Sequence, residues 1–339
     1  MRLALLYPRS ALFGTLPAVQ TRIRNFMTSF VSFAPSASLQ IQKFSDVDDY
    51  RRAVRNFQLE FTPLNRRISA EQAILHLPGF DLSLIQTFPR LVSTQLAPNV
   101  TAVCFSMDDR MPIRVNGVDF DRPIVALGYG GDRFTTIEEA AARTAVIVFN
   151  PEIHDRGWPE TRREFSILTT TTGALQQLRL LVLEVMKFAS ASGDATVVPA
   201  TAAGIKESLL AACDQAFGGS GRPLADGSLH SARLFSVYRK VEEYLGENLG
   251  NPIYSNELSR QIGVSVRTLQ EVVRLYHGMS LHRYLRLKRL WLVRQRLLMG
   301  HVSVKACALA FGFWHLSDFS RSYRLHFEET PSETLARAH

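Results

Sequence analysis

A chain of 339 residues, 46% hydrophobic and 21% charged, is long enough for two domains and has the make-up of a folded globular protein. Its three cysteines, Cys104, Cys213 and Cys307, are far apart and lack CxxC or Cys/His spacing, which argues against a disulfide framework or structural zinc and favours a reducing, cytoplasmic setting. The charge is uneven: residues 232–339 carry 16 Lys/Arg against 9 Asp/Glu, whereas 46–231 carry 18 against 22, so a basic third sits on a mildly acidic body and a polyanion is the expected partner.

In chain order, residues 1–45 hold five basic and no acidic residues. Pro8 and Pro17 interrupt any signal-type apolar core, so this stretch reads as a disordered leader, with Met27 as the working start. No run is apolar and long enough to span a membrane. From 75 to 150 the pattern is β: Val103, Phe105 and Met107 alternate, "IRVNGVDF" places an Asn-Gly turn between short strands, and "TAVIVF" is a buried-strand run. "GYGGDRF" (128–134) reads as a glycine turn between strands. Leu175, Leu178, Val182, Val185 and Ala189 then predict a helix over 173–190, and 203–217 a second one. A small sheet or barrel followed by two helices is the expectation, ended by a Gly/Ser-rich linker at 218–231.

This body offers no catalytic apparatus. His76, His154 and His230 are too scattered for a metal site, so no metal is expected. Cys104 sits in an alternating apolar stretch and Cys213 in a helix, where inert thiols are the usual finding. GxSxG, Walker A and GxGxxG motifs are missing. Neither an enzyme nor a cofactor is expected.

After 231 the pattern is helical throughout, with seven helices. Leu234, Tyr238, Val241 and Leu245 form one stripe, closed by "GNP" at 250–252. Ser255, Ser265, Ser280 and Ser303 stand where N-caps belong, and Gly263, Gly278, Gly300 and Gly312 where helices end. "TPSE" (330–333) is a capping box. Two segments repeat: Leu258, Gly263, Leu269, Val273 and Gly278 in the first correspond to Cys307, Gly312, Phe319, Tyr323 and Glu328 in the second. Each unit is a short helix, a tight turn and a longer helix, the helix-turn-helix outline. The longer helices bury Leu269, Val273 and Tyr276 in one unit and Phe319, Tyr323 and His326 in the other. Their opposite faces carry Arg267, Gln270, Glu271 and Arg274, matched by Ser317, Ser320, Arg321 and Arg324. Arg pairs with guanine, Gln with adenine, and Ser with a base or phosphate, so these faces suit the major groove. Thr268 and His315, near the starts of the two helices, complete the candidate DNA-binding set. Glu271 either accepts from cytosine or pairs with Arg267 and Arg274 along its own helix, and Trp314 either meets the DNA backbone or packs on its neighbours. A helix of about 19 residues joins the units, roughly 28 Å long, close to the ~34 Å repeat of the groove.

Gly312, Phe313, Ser317, Phe319, Arg321, Tyr323, Arg324, Thr330 and Pro331, with Arg289, Leu290, Leu297 and Leu298 in the joining helix, resemble the pattern of the AraC/XylS family of bacterial transcription regulators over 232–337. Glu328 departs from it, standing where the family has glycine, as do Ser259, Val293 and Val273 at positions that favour other residues. The resemblance implies a mixed fold: an N-terminal small β-barrel (cupin-like) plus helices, and a C-terminal all-α domain with two helix-turn-helix motifs joined by a long helix. It further implies an effector-sensing and dimerisation domain over 46–217 and a DNA-binding domain over 232–339, with units at about 255–277 and 303–327. The expected function is sequence-specific regulation of transcription, as an activator answering a small-molecule effector, with double-stranded promoter DNA, RNA polymerase and a second copy of the chain as partners. A constitutive or architectural DNA binder without an effector is the alternative.

Overall fold

The computed structural model describes residues 33–218, 229–248, 253–300 and 302–338, apart from 65–67, 110–112, 121 and 162–163. The expected start at Met27, most of the linker and the "GNP" end lie outside the described residues.

The N-terminal half is built of strands that alternate buried and exposed positions. They form a seven-stranded antiparallel sheet, β1-β3-β4-β11-β6-β9-β12, and a five-stranded one, β2-β5-β10-β7-β8. In chain order the strands are β1 (Leu39–Phe44), β2 (Phe57–Pro63), β3 (Ala70–Leu77), β4 (Phe80–Gln86), β5 (Arg90–Leu96), β6 (Thr101–Ser106), β7 (Ile113–Val115), β8 (Val118–Asp119), β9 (Ile124–Tyr129), β10 (Arg133–Glu138), β11 (Arg143–Phe149) and β12 (Ser166–Thr169), with a short helix α1 (Val47–Ala53) after the first. Two expectations need correction. The sheets do not close into a barrel: among the described residues each sheet's outermost strands pair only within their own sheet, and Arg133 of β10 makes one isolated bridge to Glu164, just before β12. Alternation identifies strands, whereas closure depends on edges far apart in sequence. Nor is the acid-free stretch loose up to residue 45, since Leu39–Phe44 pairs antiparallel with β3 and buries Leu39 fully. Charge composition hid the short L-x-I alternation that makes it an edge strand.

The molecule is layered. Helices α2 (Thr172–Ala191) and α3 (Pro199–Gly218) cover the outer face of the seven-stranded sheet, where Leu175, Leu178, Val182, Val185 and Met186 meet Leu82, Leu84, Phe105 and Ile147 in one core. The inner faces of the two sheets look at each other across Val146, Val148, Ala102, Leu96 and Val115. The turn of "IRVNGVDF" is the expected hairpin, with Asn116 and Gly117 both at positive φ, 48° and 79°, the geometry of a type I′ turn.

Seven helices follow among the described residues: α4 (Leu229–Asn248), α5 (Ser255–Ile262), α6 (Val266–His277), α7 (Leu281–Leu298), α8 (Val304–Ala310), α9 (Leu316–Phe327) and α10 (Pro331–Ala336). Ser265, Ser280 and Ser303 cap α6, α7 and α8 by accepting from a backbone N–H three residues on, satisfying donors that a helix start leaves open. Ser255 does not: the cap is Tyr254 and Ser255 is the first helical residue. Gly263 and Gly312 hold φ of 77° and 78° in the two tight turns, a conformation glycine adopts without a Cβ penalty. Thr330 and Glu333 form the complete capping box.

The outer face of the five-stranded sheet rests on these helices. Leu91 of β5 and Ile137 of β10 belong to the same apolar cluster as Leu234, Tyr238, Leu269 and Tyr276. Val47, Tyr50, Phe61 and Phe88 share a second cluster with Leu290, Trp291, Phe319 and Tyr323. At the hairpin, Gly117 sits so close to α6 that a Cβ there would come within 2.7 Å of Leu275 Cγ.

Candidate nucleic-acid interface

The two helix-turn-helix units, α5–α6 and α8–α9, are built alike at every repeated position. Leu258 and Cys307 are buried in the short helices, and Leu269, Val273, Phe319 and Tyr323 in the long ones. The tight turns and the helix ends match as well: Gly278 and Glu328 both adopt left-handed φ, 67° and 58°. Apolar anchoring of one face rotates the other outward. Arg267, Gln270, Glu271 and Arg274 on α6 are exposed, as are Ser317, Ser320, Arg321 and Arg324 on α9. His315 is exposed at the N-cap of α9 without capping it. Thr268 is half-buried, its hydroxyl 2.9 Å from that of Ser265. His326 is half-buried on the anchored side and stacks edge-on against Trp291.

Charge on these faces is largely uncompensated. Glu271 forms no ion pair with Arg267 or Arg274 among the described residues, so the intrahelical pairing is not found and its carboxylate stays available. Asp318, which sequence reasoning passed over, lies 3.9 Å from Arg321 in an exposed pair. Such a pair is weak in water and yields readily to a stronger partner. Trp314 is 64% exposed rather than packed, beside the start of α9. The i, i+3 spacing from Asp318 to Arg321 within one helical segment was the signal that could have found Asp318.

The long helix α7 positions both units. Arg286 on α7 donates to the Asp318 carbonyl at 3.4 Å and to the Ser322 hydroxyl, holding the first turns of α9. Arg294 reaches Glu329 at 3.3 Å, just beyond α9. On the other side, the half-buried Glu242 carboxylate of α4 accepts from Tyr284 Oη at 2.9 Å, Lys288 Nζ at 2.8 Å and His277 Nε2 at 3.1 Å. His277 is the last residue of α6, so this cluster fixes where that helix ends. Burial would raise the Glu242 pKa, but the Lys288 charge and the His277 hydrogen bond outweigh it and hold the carboxyl well below the usual range. Burial pushes the His277 pKa down, so the imidazole is neutral at pH 7. Arg289 is half-buried with its guanidinium beside Gly312, a structural placement.

A second candidate site is a cavity of about 730 Å³ between the two sheets, within the usual size of small-molecule sites. Cys104 lies on its wall, and burial pushes that thiol up to about 12. Burial also raises the pKa of Cys213 and Cys307, so all three thiols stay protonated and unreactive. Among the described residues no group of His, Cys, Asp and Glu is arranged to hold a metal ion, and no helix is long and apolar enough to cross a membrane.

Residues 258–337 match a family model described as a helix-turn-helix domain. The XylDLEGF operon transcriptional activator 1 of Pseudomonas putida is 31% identical over 118 residues, which are 33% of this chain and 36% of that protein. The virulence regulon transcriptional activator VirF of Yersinia enterocolitica is 28% identical over 94 residues, 28% of this chain and 35% of the relative. Among solved structures, a probable AraC family transcriptional regulator from Rhodopseudomonas palustris is 35% identical and covers 30% of this chain and 97% of its own, with a TM-score of 0.29. The chain thus spans about a third of the length of the curated relatives it matches.

Proposed function

Because its C-terminal third makes this chain a member of the AraC/XylS family of transcription regulators, we propose that it binds promoter DNA through α6 and α9 and activates transcription in response to a small molecule held between its sheets. The observation that carries the DNA reading is the pair of matched faces, in which four exposed arginines stand among Gln270, Ser317 and Ser320 on helices anchored from behind. Arg267, Gln270, Glu271 and Arg321 read base edges, where bidentate Arg and Gln contacts discriminate bases. Arg274, Arg324, Thr268, His315, Ser317 and Ser320 hold the duplex from the groove walls and phosphates. Helix α7, with 18 residues and so about 27 Å long, sets the two reading helices about one groove repeat apart on one side of the duplex.

The effector response is supported by the five-stranded sheet, which lies between the cavity and the DNA-binding helices. Along β5 and β10, Arg90, Val92, Thr94, Phe134, Thr136 and Glu138 line the cavity, while Leu91 and Ile137 between them pack on the helices. A ligand that shifts one face of this wall shifts the support of α6. An architectural DNA binder has no use for such a cavity. Dimerisation through α2 is supported by Leu180 and Phe188, two exposed apolar residues on the side of that helix turned away from its core. Phe188→Glu should convert a dimer to a monomer in sedimentation; an unchanged mass would remove α2 from the interface. RNA polymerase is the further partner an activator needs.

The decisive test is to recover genomic DNA fragments bound by the purified full-length protein, sequence them, and titrate salt on the best fragment. Enrichment of a few promoters bearing direct repeats one helical turn apart is the expected result. Enrichment no better than random, with affinity lost uniformly as salt rises, would reduce the interface to a charge patch.

A further inference from the structure

The cavity between the sheets has a distinct chemical polarity, which follows from strand register. Thr144 pairs with Ser106 on one side and Ile85 on the other, and Arg90 pairs with Glu138. Thr87 Oγ1 donates to Glu138 Oε2 at 2.6 Å, joining the two sheets at that end. Ionised groups gather there, and the far end, around Phe57, Phe134 and Val146, is apolar.

The interior charges at the polar end are spent on one another. Arg90 donates to both oxygens of Glu138, Nε at 3.0 Å and Nη2 at 3.2 Å, with both side chains 8% exposed. The rings of Tyr50, Phe61 and Phe88 enclose the same guanidinium within 5.7 Å of their centroids. Arg179 of α2 reaches Asp109 at 2.7 Å, and donates to the carbonyls of Ser106 at 2.8 Å and Asp108 at 2.7 Å. Asp108 in turn accepts from Arg143. Each buried arginine is thus charge-balanced by a carboxylate, Arg90 by Glu138 and Arg179 by Asp109. What the polar end leaves open is Nη1 of Arg90 and the amide oxygen of Gln176, both buried without a hydrogen-bond partner among the described residues. Arg122, also on the lining, is exposed and already engaged within the protein. By contrast, the hydroxyls of Thr136 on the five-stranded sheet and Thr144 on the seven-stranded sheet line the cavity and form no hydrogen bond among the described residues. A hydroxyl both donates and accepts, so it suits an uncharged oxygen or amide. An ion brought between these walls would lose its water, and the buried arginines and carboxylates there are already paired with one another, so the lost hydration would not be repaid.

We propose that this cavity takes an uncharged, largely apolar molecule bearing an amide, carbonyl or hydroxyl group, and discriminates against carboxylates and ammonium ions of the same skeleton. The assignment rests on the effector reading above and names the class of effector.

The test uses three molecules of one shape, 4-phenylbutanamide, 4-phenylbutanoate and 4-phenylbutylammonium, titrated by calorimetry into the full-length protein at pH 7 without DNA. The amide should bind at one site per chain, with a dissociation constant at least tenfold below those of both ions. Tighter binding of either ion would overturn the proposal, as would failure of the amide to saturate. Ala126→Phe fills the cavity from the seven-stranded sheet and should abolish amide binding. Thr144→Val, nearly the same shape, should weaken it at least threefold, and it keeps the test valid if the larger substitution unfolds the chain. Unchanged amide affinity in a folded Thr144→Val protein would also overturn the assignment. Because no DNA is present, the two readings fail separately: a protein that selects promoters but prefers an ion loses only the ligand class, and one that binds the amide but selects no promoter loses only the regulator reading.

Discussion

Arg321 and Arg324 stand three residues apart on α9 with similar exposure, yet the proposed docking of α9 gives them different tasks, a base edge for Arg321 and a phosphate for Arg324. Arg321 has Asp318 at 3.9 Å on its own helix, an exposed pair weak enough to leave the guanidinium available to a stronger partner. Arg321→Ala should cost about 1–3 kcal/mol on the preferred operator and relax selection at one base pair. Arg324→Ala should weaken every sequence alike and lower the salt slope by about one unit. Binding isotherms on matched and scrambled duplexes at several salt concentrations separate the two, and equal losses on both duplexes for Arg321→Ala would remove its base-reading role. Glu328 carries a different residue-scale burden. It holds a φ of 58° where the parallel position in the first unit is Gly278, and a side chain in that region is disfavoured by roughly 1 kcal/mol. Glu328→Gly should therefore raise the thermal midpoint by a few degrees, corresponding to about 0.5–1 kcal/mol; an unchanged or lower midpoint would mean that its side chain contributes more than the backbone loses.

At the scale of elements, what was legible in the sequence was local. Capping serines at 265, 280 and 303, glycines at 263 and 312 and the apolar stripes of α2, α4, α6 and α9 each report on a few consecutive residues, and the exposed polar faces of α6 and α9 followed from helical spacing alone. What stayed illegible depends on distant partners: the short edge strand at 39–44, the open edges of the sheets, and the ties Arg286 and Glu242 make to other helices. The Glu242 cluster shows how such a tie is tested. Its carboxyl is held below the usual range in the folded state and returns to about 4.3 on unfolding, so its contribution is present above that value and is lost as pH falls toward the folded pKa. His277, kept neutral by burial, works in the same direction, because the unfolded imidazole takes a proton below about 6.5. Glu242→Gln leaves Lys288 buried without its counter-ion and should cost about 3 kcal/mol at pH 7. The gap between the native and variant proteins should then narrow as pH drops from 5 to 3, by up to ~1.4 kcal/mol per unit. Denaturant unfolding across that range is the measurement, and a constant gap would place the stabilisation elsewhere.

For the whole molecule, the layers raise the question of whether two domains behave as two. Charge divides the chain sharply, yet the sheet wall and the helices share apolar clusters, and interfaces that are large and apolar couple the parts they join. Leu91 and Ile137 are 4% exposed each and sit where the wall meets α4 and α6. Arg133 reaches Glu243 at 3.9 Å across the same boundary, a partly exposed pair that adds little. If the docking is apolar, the chain should unfold in one calorimetric transition. Leu91→Ala with Ile137→Ala removes side chains worth about 2–5 kcal/mol each when fully buried, most of it from the contact between layers. The double variant should then show two transitions, with the strand-rich half and the helical half melting apart. Operator affinity in the absence of ligand should change little, because α6 and α9 keep their own anchors, whereas any effect of a bound ligand on that affinity should fall from a coupling of about 1–3 kcal/mol toward zero. A double variant that still melts in one step and still transmits the ligand's effect would show that coupling runs instead through Tyr50, Phe61 and Trp291, on the second apolar cluster beside α7.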